Sequence, residues 1–161
     1  MSRIAPWTDR VTYEHLLTLI RRQIAATPDA VAMRHRVGSE WRGVTYREVG
    51  RHVDAVASWL IDAGVEPGAR VVLYGHNSPW WSIADLAIMA AGAISVPIYA
   101  TNTAHQAEHI IRDAGATAAF VGGAEQYEHL AYIYERFLCP SKWAGEELMA
   151  VYHEIWDPYA E

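Results

Sequence analysis

Apolar positions change period several times along this chain, and each change marks an element. Between Val11 and Thr27, Leu16, Leu17, Ile20 and Ile24 recur every three or four residues, which predicts an amphipathic helix. Thr12 is its expected cap, and Pro28-Asp29 ends it. Ala30 to His35 and Glu40 to Val44 flank Val37-Gly38-Ser39, the pattern of a hairpin around a short glycine turn. Thr45-Tyr-Arg-Glu48 is a capping box. It opens a long helix with Tyr46, Val49, Val53, Val56, Ala57, Leu60 and Ile61 on one face, closed by Gly64. Glu66-Pro67-Gly68 then turns the chain.

The stretch from Arg70 to Gly115 organises the rest. Val71 to Tyr74 suits a buried strand. Ser78 offers an N-cap and Pro79 the first helical position, where a missing N–H costs nothing. The predicted helix from Pro79 to Ala91 is apolar on nearly every face, so it is expected to be buried on several sides. Gly92 stops it, and Ile94 to Tyr99 is a second strand whose Pro97 limits its ladder bonds. Strand, crossover helix, strand is a βαβ unit with parallel strands. Thr103-Ala-His-Gln106 is another capping box, followed by a face of Ala104, Ala107, Ile110, Ile111 and Ala114 and a stop at Gly115. Thr117 to Val121 supplies a third strand before Gly122-Gly123. Two successive crossovers predict an α/β fold: an incomplete doubly wound, mainly parallel sheet with helices on both faces, preceded by a helix and a hairpin. Farther on, Glu125 to Leu138 reads as a helix with Tyr127, Leu130, Ala131, Tyr134 and Phe137 on a stripe, and Glu146 to Trp156 as a last helix.

Composition narrows the class. A chain of 161 residues suits one domain, and 52% apolar with 20% charged residues is a globular balance. Seven Trp and nine Tyr exceed what a small α/β core needs, so some are expected to face a partner or a missing part of the protein, and the strand edges and apolar helix faces of a sheet cut short are expected to make the chain self-associate. The net charge of −6 argues against nucleic acid. Cys139 stands alone, which excludes a disulfide framework and a CxxC site. Met1 to Arg10 carries no apolar signal region, and the run from Leu86 to Tyr99 is too short to span a bilayer. A cytoplasmic protein is the expectation.

Three motifs carry candidate chemistry. His105-Gln-Ala-Glu-His109 has the H-x-x-E-H form of inverted zinc peptidases. The apolar stripe lies opposite both His and no third ligand suggests itself, so an exposed polar face is the stronger reading and no metal ligand is assigned. Gly75-His-Asn-Ser78 follows a strand and precedes a helix, where α/β proteins often bind anions. It matches neither a Walker loop nor G-x-G-x-x-G, and Asn77 and Ser78 read better as turn and cap residues. Gly122-Gly123 takes the same discount. The Trp80-Trp81 pair is expected to pack in the core. His15, His35, His52, His76, His129 and His153 show no ligand spacing.

The order of these segments resembles the start of the adenylate-forming (AMP-binding) enzymes, particularly the long-chain fatty acid–CoA ligases. Thr27-Pro-Asp-Ala-Val-Ala32, Gly43-Val-Thr-Tyr-Arg-Glu48, Gly68 to Trp81, Ala91 to Thr101, and Phe120 to Tyr127 are each similar to a phrase of that family. The resemblance covers about residues 11 to 130. It implies a partial N-terminal subdomain over 1–130 and a divergent acidic, aromatic tail over 131–161. In the family, fatty acid and ATP give an acyl-adenylate with the help of Mg²⁺, and coenzyme A then displaces AMP. The phosphate loop with its Lys, the ribose-binding Asp and the catalytic Lys lie downstream of the matched part. No catalytic, nucleotide-binding or metal residue is therefore carried over, and no cofactor is expected to be bound by this chain alone. The expectation is a truncated ligase fragment, inactive without its missing portion. The alternatives are a non-catalytic protein-interaction module built on that scaffold, and a zinc hydrolase using His105 and His109.

Overall fold

The computed structural model describes residues 15–137. Thr12, Cys139, His153 and the predicted helix over 146–156 lie outside them. In order the elements are α1 (Leu16–Ala26), β1 (Val31–Val37), β2 (Glu40–Thr45), α2 (Tyr46–Asp62), β3 (Arg70–Gly75), α3 (Pro79–Ala90), β4 (Ile94–Tyr99), α4 (Ala104–Ala114), β5 (Ala118–Gly122) and α5 (Ala124–Phe137).

The hairpin of β1 and β2 is antiparallel, and Gly38 takes φ 59° in its tight turn. β3, β4 and β5 form a parallel sheet in the order β4-β3-β5, with Arg70 opposite Ile94 and Val71 opposite Ala118. Alternation along β3 divides the core in two. Val71 and Leu73 pack with Ala118, Phe120, α2 and α3 on one face. Val72 and Tyr74 pack with Ile98, Ala119, α4 and Ile133 of α5 on the other. The right-handed crossover rule explains this division. The step from β3 to β4 runs one way along the sheet and the step from β4 to β5 runs back over β3, so their helices fall on opposite faces. The doubly wound arrangement read from the sequence is present.

α3 is buried at Pro79, Trp80, Ile83, Ala84, Ala87 and Ile88, as its all-round apolar character requires. Ser78 caps it, with Oγ accepting from the Trp81 N–H at 3.1 Å. Pro97 sits on β4, an edge of the three-stranded sheet, where its missing donor is tolerated.

Three expectations need correction. α1 begins at Leu16, capped by the His15 ring nitrogen, rather than at Thr12. Ile61 leaves the buried face of α2 and is 56% exposed, because the helix turns its stripe past it in the last turn. On α5 Tyr127 leaves the expected stripe and is exposed, whereas Gln126 and Ile133 are buried and Leu130 of that stripe packs against the same cluster; the side chains of Tyr134 and Phe137 lie outside the description. Aromatic spacing misled here, since a buried amide holds the position that an aromatic residue was expected to fill.

Both capping boxes form. At α2, Glu48 Oε2 accepts from Thr45 N and Thr45 Oγ1, each at 2.7 Å. The backbone and then the side-chain hydrogen bond from Thr45 hold the Glu48 carboxyl below its ordinary value of 4.5. A depressed carboxylate stabilises the fold above its unfolded pKa and loses that contribution as pH falls through the folded value. Unfolding midpoints measured from about pH 6 down to about pH 3 are thus expected to decline less steeply in Glu48→Gln than in the parent chain. Parallel curves would refute this.

Candidate functional site

β3 and β5 are neighbours, yet β3 leads into α3 on one face and β5 leads into α5 on the other. Adjacent parallel strands whose connections part in this way open a crevice at their carboxyl ends, the place where open α/β sheets take ligands. Here the crevice lies between Gly75-His-Asn-Ser78 and Gly122-Gly123. The two backbones nearly touch: a Cβ on Gly75 would lie 2.6 Å from Gly122 Cα, and one on Gly122 would lie 2.8 Å from Gly75 Cα. Only glycine at both positions permits that approach. His76 and Asn77 are exposed, and Ser78 is occupied in capping. α3 and α5 both start here, so the local field favours an anionic or polar group over a cation.

Behind the crevice, polar groups tie the β4–α4 connection to α5. Gln126, 2% exposed, donates from Nε2 to the Ala100 carbonyl at 3.0 Å. Tyr74 Oη donates to the Asn102 carbonyl and lies 2.8 Å from His129 Nδ1. A phenol has one proton and a carbonyl can only accept, so His129 Nδ1–H is the donor in the second contact. Burial and then the nearby Glu125 charge push the Tyr74 hydroxyl above its ordinary value of 10.0, which keeps it protonated at neutral pH. Tyr74→Phe strands the Asn102 carbonyl and the imidazole N–H. The expected loss is about 1–3 kcal/mol in denaturant unfolding, and a variant as stable as the parent would contradict this network.

The other sequence candidates are dispersed. His105 and His109 are exposed on α4, opposite buried Ala107 and Ile111. Glu108 is paired with Arg112 at 3.1 Å. Among the described residues no three His, Cys, Asp or Glu side chains come together. Trp80 is buried, with His35 and His52 edge-on to its ring at 6.2 and 5.3 Å. Burial and then Arg51 push the His52 imidazole below its ordinary value, against the opposing Glu48 charge. Sequence reasoning missed Tyr74, Gln126 and His129 as a set. The available signal was a polar Gln126 at helical spacing from Leu130 and Ile133.

Sheet order and crossover hand together define a doubly wound α/β protein. The family profile described as AMP-binding enzyme matches residues 20–146, and the chain belongs to that family. The long-chain-fatty-acid–CoA ligase FadD15 of Mycobacterium bovis is 36% identical over 108 residues, which are 67% of this chain and 18% of the relative. The phenyloxazoline synthase MbtB of a Mycobacterium species is 39% identical over 104 residues, covering 65% of this chain and 9% of its own. The chain thus spans less than a fifth of the length of these relatives. Among solved structures, the anthranilate CoA ligase AuaEII with anthranoyl-AMP aligns with a TM-score of 0.69 at 24% identity, over 81% of this chain and 24% of its own. The N-terminal subdomain of Klebsiella oxytoca NpsA aligns with a TM-score of 0.62 at 23% identity, over 74% of this chain and 33% of its own. These likenesses establish a shared fold. No helix among the described residues is long and apolar enough to cross a membrane.

Proposed function

We propose that this chain is the N-terminal scaffold portion of an ATP-dependent long-chain fatty acid–CoA ligase acting in the cytoplasm. The observation that carries the reading is the 36% identity over 108 residues to a mycobacterial ligase of that name. In the whole reaction a fatty acid carboxylate attacks the α-phosphate of ATP and releases pyrophosphate. The thiol of coenzyme A then takes the acyl group and releases AMP.

The 161 residues alone do not complete the first step. Charge developing at the α-phosphate needs cations and oriented donors in a water-excluded site. The sequence has one Lys, Lys142, and no Ser/Thr/Gly-rich loop leading to it. ATP–pyrophosphate exchange by the purified chain, offered long-chain fatty acids, is expected at background. Robust exchange would overturn this.

A second reading, a non-catalytic interaction module, is favoured by one observation: Ile94 and Tyr99, on an edge strand of the parallel sheet, are 52% and 82% exposed. Among the described residues no strand pairs with the outer side of β4, and such an edge with apolar side chains invites association. Light scattering separates the two: a stoichiometric complex that persists on dilution supports the module, and a dilute monomer counts against it.

A further inference from the structure

We infer that the groove between α1 and α2 binds a long-chain carboxylate, at a site separate from the strand-end crevice. α1 is amphipathic, yet none of its residues is buried. Leu17, Ile20 and Ile24 line one wall of the groove, and Val53 and Gly50 of α2 line the other. The space measures about 570 Å³, within the range of roughly 300–1,000 Å³ typical of small-molecule sites. Gly50 lets α1 settle close, since a Cβ there would meet Ile24 Cδ1 at 3.2 Å.

The rim supplies the head-group chemistry. Arg21 is paired with Asp54 at 3.2 Å, and Arg47 with Asp29 at 3.0 Å. Arg51 also lines the groove, and it has no hydrogen-bonded or ion-paired partner among the described residues. The acid one turn away, Glu48, spends its hydrogen bonds on Thr45 and meets Arg51 only through the field between their charges. A guanidinium that makes no direct contact, among aliphatic lining residues, suits a ligand with an apolar tail and a planar anionic head, because guanidinium and carboxylate form paired hydrogen bonds. The volume suits one such molecule. A second protein copy would need about 800 Å² of contact per partner, far more than this slot presents.

The site can be probed with a photoreactive diazirine analogue of palmitate, without nucleotide, so the outcome is independent of whether the chain supports adenylation. Adducts are expected on peptides from α1 and the first half of α2. Arg51→Glu, an exposed substitution checked for folding by circular dichroism, is expected to lower labelling about ten-fold. Palmitate should compete, and hexadecanol should compete poorly. Labelling confined to other elements, labelling unchanged in Arg51→Glu, equal competition by the alcohol, or no labelling would each overturn the inference. So would a dimer that occludes the groove and excludes the probe. Should Arg51→Glu misfold, the alcohol comparison and the adduct positions in the parent chain still decide.

Discussion

Gly75→Val is expected to lower the thermal midpoint of the chain by about 6–12 °C, taking about 3 kcal/mol of overpacking at roughly 2–4 °C per kcal/mol. The reason is geometric. A Cβ at position 75 would sit 2.6 Å from Gly122 Cα and 2.9 Å from Gly122 N, and both are backbone atoms with no rotamer to escape into. Gly75 and Gly122 are register partners at the end of the β3–β5 ladder, so relief requires the two strands to part. A branched residue widens the conflict. Gly122→Ala meets the same obstacle from the other side, at 2.8 Å. Once the strands have parted for one substitution the second meets less resistance, so the double variant should fall short of the sum. A Gly75→Val protein melting with the parent would refute the close approach. Strict additivity would refute the shared mechanism.

Ile88→Ala has the other large expected effect, about 2–5 kcal/mol in denaturant unfolding. Ile88 is fully buried in the last turn of α3, within the cluster formed by α2 and the sheet. Removing its outer carbons leaves a void that rigid neighbours on two sides cannot close. Ile61→Ala is the control, because that residue is 56% exposed on α2. Its expected cost is within about 0.5 kcal/mol. Equal losses at the two positions would mean that the core does not lie where α3 places it.

Much of this fold was legible because its strongest signals are local. Each capping box states its own helix start within four residues, and both form as read. α3 announces its burial through apolar residues on every face, and the glycines at 92 and 115 mark stops that need positive φ. Strand order is different in kind. That β5 lies beside β3 instead of β4 follows from crossover handedness and packing across the whole unit, and no short window encodes it. The crevice, which depends on that order, was visible only as two turn sequences of ambiguous purpose. Gly75 and Gly122 are 47 positions apart in the chain, and neither hints at the other. α5 was misjudged for a related reason. Its inward face is chosen by the carbonyl of Ala100, which needs a donor and finds one in Gln126.

The contact between Tyr74 and His129 bears on how the two ends of the unit are held together. Tyr74 lies on the central strand, and its one hydroxyl meets both the Asn102 carbonyl and the His129 ring. A single phenol therefore rivets the β4–α4 connection and α5 to the same point of the sheet, and neither can swing away without loosening the other's anchor.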